Sequence, residues 1–167
     1  MHMLHCMMTM TAWFKNGMIP CRTRQIAART SRPNVRNEVK IWLISTEALI
    51  DVAQARGYRI RWHRGGPKAA WLPHRNTISL RVGMDDATTL CSLAHELGHA
   101  HYNDPPGHHG AHEIRADRFA ARLLINPRDY ATTEAIYGPH PSVLAHELGV
   151  TVKVLKTWQS LHERQAA

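Results

Sequence analysis

The segment that most constrains the fold is His95-Glu96-Leu97-Gly98-His99, which places two imidazoles four residues apart with a carboxylate beside the first. On an α-helix this spacing turns the second ring only about 40° from the first, so both rings can reach one zinc ion. Asp85 and Asp86 offer N-caps, and apolar residues recur every three or four positions: Leu90, Leu93, Leu97 and Ala100. The sequence therefore predicts an amphipathic helix over residues 87–101 that carries both histidines.

A third metal donor is expected from the segment that follows. A catalytic zinc usually has three protein ligands and keeps its fourth position open, and we expect Glu113 to be the third. A polar connection rich in glycine and proline, residues 103–110, leads to a second predicted helix, Ala111–Ile125. Glu113 and Asp117 lie four residues apart on it, so both carboxylates point the same way. Glu113 can then bind the metal while Asp117 accepts a hydrogen bond from a ligand histidine's other nitrogen.

Other interpretations of these residues remain open. Glu113 and Asp117 could form a solvent-exposed face, with Glu113 pairing with an arginine of its own helix. Histidines around the connection are alternative third donors: His101, His108, His109 and His112. His101 lies only two residues after His99, so on a continuous helix it points away from the metal face.

Two blocks of sequence resemble the ImmA/IrrE family of zinc metallopeptidases: residues 95–100 (HELGHA) and 113–127 (EIRADRFAARLLINP). A looser similarity extends from about Thr46 to about Trp158. The resemblance implies His95, His99 and Glu113 as zinc ligands and Glu96 as the catalytic base. It also implies an intracellular endopeptidase that inactivates a transcriptional repressor of a mobile element or stress regulon by cutting it. The small, single-domain form is most similar to versions encoded by phages and related elements.

The three proposed ligands and the adjacent Glu96 together predict hydrolysis of a peptide bond with Zn²⁺ as cofactor. Zinc acidifies a water molecule, and Glu96 takes its proton and later delivers a proton to the leaving amine. The developing oxyanion needs a further donor that the sequence does not single out. The candidates are Tyr102, His112, Tyr130, Tyr137 and His140.

Composition bounds the setting of this chemistry. The 167 residues, 44% of them hydrophobic, fit one domain with a substantial core. No run of about 18 or more apolar residues is present, so no membrane span is expected. The three cysteines, Cys6, Cys21 and Cys91, are an odd and unclustered set, which predicts a reducing compartment and a cytoplasmic location. Cys91 lies four residues before His95 and could face the metal, but we interpret it as a small buried core residue.

The net charge of +8 is concentrated at the start of the chain. Residues 1–40 carry seven basic residues against one acidic residue, a net charge of +6, which leaves +2 for residues 41–167. We therefore expect no single-sign groove in the folded part, and DNA binding is not expected. Residues 1–40 are interpreted as a disordered basic tail or an over-extended gene start. The competing hypothesis is a basic arm that binds a repressor or DNA.

The remaining patterns predict an α+β fold over residues 41–167. A helix is expected over Thr46–Arg56, followed by three strands: Tyr58–His63, Ala69–Leu72 and Thr77–Val82. The expected architecture is zincin-like, with a small three-stranded sheet packed on the two zinc helices and C-terminal helices closing the core. The last strand is either a rail that binds extended substrate or simply part of a sheet that covers the helices.

The C-terminal segment, residues 141–162, offers a rival function. Its small residue, turn glycine and capped second helix resemble a helix-turn-helix, and four of its side chains would face a DNA major groove: Val152, Lys153, Lys156 and Gln159. The alternative to a peptidase is therefore a DNA-binding or protein-interaction module with a structural zinc. Nearby, residues 146–149 repeat the start of the zinc motif, but Val150 stands where the second histidine is needed. We interpret this repeat as a decoy, and the sequence does not indicate an oligomeric state.

Overall fold

The computed structural model describes residues 44–107 and 110–166, so the predictions for residues 1–40 and for His108 and His109 lie outside it. Within those ranges, six helices and three strands follow one another: α1 (Thr46–Ala55), β1 (Arg59–His63), β2 (Ala69–Leu72), β3 (Thr77–Arg81), α2 (Asp86–His101), α3 (Gly110–Leu124), α4 (Pro127–Tyr137), α5 (Pro141–Glu147) and α6 (Val152–Ala166). The predicted α+β class is confirmed. The bounds of each predicted helix and strand differ from the observed bounds by at most two residues. None of the helices in these ranges has the length and apolar character needed to cross a bilayer.

Side-chain caps set the start of three of these helices. Asp85 accepts a hydrogen bond from the Thr88 backbone N–H at 2.8 Å and begins α2. Ser45 caps α1 through the Ala48 N–H, and Asn126 caps α4 through the Arg128 N–H. Each bond satisfies a backbone donor that has no partner within its helix, so these local residues position the helix starts.

The sheet is mixed, with strand order β1-β3-β2. β3 pairs in parallel with β1 and antiparallel with β2, so it is the central strand. The interpretation of Thr77–Val82 as a substrate rail is therefore wrong, because strand addition needs an unpaired edge. One face of the sheet packs on α2, where Ile78 and Leu80 are fully buried in the core.

Helices α2 and α3 cross closely at Gly98. A Cβ atom built on Gly98 would lie 2.9 Å from the Cα of Ala116 and 3.2 Å from its Cβ. Ala116 lies on α3 between Glu113 and Asp117, so this crossing brings the two predicted carboxylates to the helix that carries the histidines. The small residue within the His-Glu-Leu-Gly-His motif thus sets the separation of the two helices.

We expect Gly98→Ala to destabilise the protein. Alanine favours a helix by about 1 kcal/mol over glycine, but the added methyl group meets backbone atoms of α3 that cannot move without shifting the helix. Overpacking of this kind costs about 1–3 kcal/mol, so the net loss of stability after the propensity gain is up to about 2 kcal/mol. Urea denaturation measures the change. Gly110→Ala, where a Cβ meets no atom within 4 Å, is the matched control and keeps or slightly raises stability; equal stability of the two variants would contradict the close crossing.

A second core joins the C-terminal helices to the other side of α2 and α3. Cys91, Ala121 and Ile125 pack there against α5 and α6, and the Trp158 indole N–H donates to the Ile125 carbonyl at 3.1 Å. The Cys91 sulfur accepts from the Thr151 backbone N–H at 3.3 Å, and burial raises the pKa of its thiol. The interpretation of Cys91 as a core residue is confirmed. Gly149, at φ +64°, forms the predicted turn between α5 and α6.

Candidate metal centre

Three donor atoms converge between α2 and α3. The Nε2 atoms of His95 and His99 lie 3.0 Å apart. A Glu113 carboxylate oxygen lies 3.3 Å from the first Nε2, and its other oxygen lies 3.4 Å from the second. Among the residues that the structure describes, these three side chains form a cluster whose ligand atoms all lie within 4.8 Å of one another. The structure thus brings together the three residues that the sequence predicts as metal ligands.

The spacing of these atoms fits a divalent metal ion. Donors bound tetrahedrally about 2.0–2.1 Å from a metal lie about 3.3 Å from one another, close to the observed separations. Both Nδ1 atoms lie against carboxylates, which accept hydrogen bonds, so in the neutral rings Nδ1 carries the proton and Nε2 presents a lone pair. Two lone pairs 3.0 Å apart repel unless a cation lies between them. The proton positions on the two rings and the spacing of the donor atoms therefore both favour a bound divalent metal ion.

Each histidine is oriented by its own aspartate. Asp117 Oδ1 lies 2.9 Å from His95 Nδ1, as the sequence predicted for this carboxylate. Asp104 Oδ2 lies 2.9 Å from His99 Nδ1, and sequence reasoning missed this residue. Asn103 adopts a left-handed conformation at φ +52°, which turns the chain back at the end of α2 and buries Asp104. The sequence does show an acidic residue, Asp104, five positions after His99. However, its carboxylate reaches the His99 ring only because of the turn at Asn103.

Basic side chains hold both aspartates in the ionised form. Arg115 donates to the other oxygen of Asp104, and its guanidinium lies over the Tyr102 ring, 4.4 Å from the centroid. Lys153, from α6, donates to Asp117 Oδ1 at 2.8 Å. Burial works to raise the pKa of both aspartates, but the hydrogen bonds from the histidines and the basic partners outweigh it, so both pKa values lie below the ordinary value. Ionised carboxylates keep the Nδ1–H tautomer of both rings.

Glu96 lies on α2 between the two histidines but is not one of the three converging donors. It is 8% exposed, and the nearby Trp71 backbone N–H of β2 favours the ionised form of its carboxylate. Burial raises the pKa of this carboxyl, although the neighbouring imidazoles oppose the shift. A carboxyl held beside the donors with a raised pKa suits proton transfer rather than metal binding.

The sequence of the chain matches a known peptidase family over residues 43–157. A family model described as the IrrE N-terminal-like domain, peptidase family M78, matches residues 43–157. The chain belongs to this family. The predicted resemblance to ImmA/IrrE proteins is thereby confirmed, and the protein is a member of a metallopeptidase family with a zincin-like α+β fold. A comparison with curated proteins gave no match.

The M78 match bears on the rival interpretation of the C-terminal segment. It covers α5 and the first six residues of α6, so residues 141–157 of the helix-turn-helix-like segment lie within the matched peptidase domain. Lys153, which a DNA-binding helix would turn toward the major groove, instead donates to Asp117 beside the metal cluster. The first turn of α6 therefore supports the site.

Three further residues that the sequence offered as candidates have contacts outside the three-donor cluster. The His101 ring stacks on Phe119 with centroids 5.2 Å apart and is outside the three-donor cluster, as its helical position predicts. Tyr130 donates to Glu134 and stacks on Trp158 in the C-terminal core, which leaves its hydroxyl committed there. His112 lies next to the site, with Nδ1 4.0 Å from Asp104 Oδ1.

Proposed function

We propose that this protein is a zinc-dependent endopeptidase that hydrolyses a peptide bond in a protein substrate. The observation that carries the proposal is the meeting of two Nε2 atoms and the Glu113 carboxylate beside the buried Glu96. Two histidines and one carboxylate are a donor set of catalytic zinc sites, which leave one position open. Zinc held there supplies a Lewis acid for the substrate carbonyl and acidifies the attacking water.

Within this proposal Glu96 handles the protons. Its carboxylate accepts a proton from the attacking water and donates one to the leaving amine, so that the amine departs neutral. The raised pKa of Glu96 brings the group closer to neutral pH, where it can exchange protons in both directions. The nearby Trp71 N–H favours the ionised form of the carboxylate, which is the form that accepts the proton.

The substrate backbone binds along β2 rather than along β3. Arg81 N–H donates to the Lys68 carbonyl at 2.9 Å, which marks residues 68 and 81 as a hydrogen-bonded pair. Because such pairs alternate in an antiparallel ladder, the backbone groups of Ala69 and Trp71 point away from β3, toward the open edge. Glu96 meets this same edge. An extended peptide added to β2 would therefore pass the proposed base.

The substrate we propose is a transcriptional repressor encoded beside the gene for this protein, as the family resemblance implies. The test incubates the full-length protein with such repressors, with added Zn²⁺ or with a chelator, and identifies products by mass spectrometry. We expect discrete fragments with zinc and intact repressor with the chelator. Fragments that form equally in both samples would contradict a metal-dependent peptidase. The absence of fragments from every neighbouring repressor would contradict this choice of substrate.

Asp104 provides a test of how the site binds metal. We expect Asp104→Asn to weaken zinc binding about tenfold to a hundredfold, because the amide no longer stabilises the Nδ1–H of His99 by charge. It also leaves Arg115 without its ionic partner. Competition against a chromophoric chelator measures the affinity. Asp51→Asn, at an exposed position of α1, controls for lost charge, and equal affinities in the two variants would mean that Asp104 does not act on the metal.

A further inference from the structure

The charge of the folded part is strongly segregated along the chain. Residues 56–83, which contain the whole sheet, carry seven basic residues and no acidic residue: Arg56, Arg59, Arg61, Arg64, Lys68, Arg75 and Arg81. The net charge of +2 over residues 41–167 is therefore the average of a basic sheet and more acidic helices. The composition-based expectation of no single-sign surface does not describe this part of the molecule.

Strand pairing gathers three of these arginines on one face of the sheet, and Arg75, from the turn between β2 and β3, lines the same concavity as two of them. Arg59 and Arg61 alternate with Ile60 along β1, and their register partners on β3 are Thr77 and Ser79. Arg81 stands opposite His63 on the same face. The opposite face carries Ile78 and Leu80 into the core against α2. The arginines therefore lie on the outer face, opposite this core, and Arg59, Arg61 and Arg75 are exposed to solvent.

Backbone carbonyls hold two of these guanidinium groups in place. Arg59 Nη2 donates to the Arg75 carbonyl at 2.6 Å, and Arg81 Nη1 donates to the Gly66 carbonyl at 3.2 Å. Arg59, Arg61 and Arg75 line one concavity of about 280 Å³, together with Ile60, Leu72 and Thr77. Each bond uses one N–H of a guanidinium that has five, so the others remain for an anion.

Carboxylates do not neutralise this face. None of the four arginines on it lies within ion-pair distance of an acid among the residues that the structure describes. Asp85 lies near the rim, where the charge of Lys68 contributes to lowering its pKa, so we leave Lys68 out of the proposed surface. The core of the surface is thus Arg59, Arg61, Arg75 and Arg81, which we call the arginine face.

We propose that the arginine face binds the phosphate backbone of duplex DNA. Protein–protein interfaces have an apolar core with few charges, whereas DNA-binding surfaces are polar and strongly positive, as this face is. Single-stranded nucleic acid would need aromatic rings for base stacking. The only aromatic ring that the strands place on this face is that of His63, and its two ring nitrogens contact Ser79 and the Pro67 carbonyl. The contacts available are guanidinium–phosphate contacts, which carry no base specificity.

This proposal goes beyond the peptidase and does not rest on it. The metal cluster lies between α2 and α3, and α2 packs on the inner face of the sheet. DNA on the outer face would therefore leave the three donors and Glu96 accessible from the β2 edge. The protein could hold a duplex and reach a protein bound next to it.

The test measures binding of full-length protein to a fluorescein-labelled DNA duplex by anisotropy over a range of salt concentrations. The triple variant Arg59→Gln/Arg61→Gln/Arg75→Gln removes three proposed phosphate contacts, so we expect the slope of log K against log[salt] to become shallower by about 2 to 3. Arg118→Gln/Arg122→Gln/Arg128→Gln removes the same net charge from exposed positions on α3 and α4 and should keep the slope of the wild type. The basic residues 1–40 are present in every variant and cancel in the comparison.

Three results would overturn the proposal. Equal losses in the two triple variants would show that only total charge matters. An unchanged slope in the Arg59→Gln/Arg61→Gln/Arg75→Gln variant would place DNA binding elsewhere, for example on residues 1–40 or on α6. Tighter binding of poly-glutamate than of DNA, with the same dependence on the three arginines, would identify an acidic polypeptide as the partner. If the triple variant does not fold, Arg61→Gln alone should make the slope shallower by about 1 and Arg61→Lys should restore it.

Discussion

Replacing Glu96 by glutamine is expected to reduce peptide hydrolysis by about 10²- to 10⁴-fold while zinc stays bound and the fold is kept. Glutamine has the same shape and keeps a carbonyl oxygen that can face the Trp71 N–H, so the packing of this buried position survives. It cannot accept the proton of the attacking water at neutral pH. Because Glu96 is outside the three-donor cluster, the metal stoichiometry should not change.

The measurement compares cleavage rates of wild type and Glu96→Gln on the same substrate at equal zinc content, determined by elemental analysis. Glu147→Gln is the matched control. It makes the same chemical change within the look-alike segment His146-Glu147-Leu148-Gly149, where Val150 replaces the second histidine. We expect the control to keep full activity. Full activity in Glu96→Gln, or loss of zinc from it, would remove Glu96 from the role of base.

The parts of this site that the sequence predicts correctly are those fixed by local rules. The two histidines share a helix with four-residue spacing, and Asp117 shares α3 with Glu113 at the same spacing. Helix geometry alone then sets which side chains point together. Capping and turn chemistry likewise placed the element boundaries, with Asp85 and Gly149 as examples.

The parts that the sequence did not predict depend on contacts between distant elements. Lys153 reaches Asp117 across 36 residues of sequence, and the order of strands places β3 in the centre of the sheet. Asp104 is near His99 in sequence but needs the left-handed turn at Asn103 to reach the ring. Three members of the arginine face come together because the register of β1 and β3 puts Arg59, Arg61 and Arg81 on one side of the sheet. None of these relations has a periodicity that a single sequence displays.

Replacing Glu113 by alanine is expected to abolish tight zinc binding, because it removes one of three donors. Loss of an indirect partner such as an aspartate costs about 10- to 100-fold in metal affinity, so loss of a direct donor should cost more than about 100-fold. The readout is the zinc-induced rise in thermal stability. At a zinc concentration of 100 times Kd, the wild type gains about 2.7 kcal/mol, and Glu113→Ala should gain almost none.

The comparison that decides the third donor pairs Glu113→Ala with His101→Ala, since both residues follow the same motif. His101 stacks on Phe119, so its removal should lower stability in the presence of a chelator while leaving the zinc-induced gain intact. Glu113 is outside both buried cores, so Glu113→Ala should keep its stability in the presence of a chelator but lose the zinc-induced gain. A zinc response kept by Glu113→Ala and lost by His101→Ala would make the histidine the ligand. A response kept by both would assign the third donor to another residue, with His108, His109 and His112 the first to test.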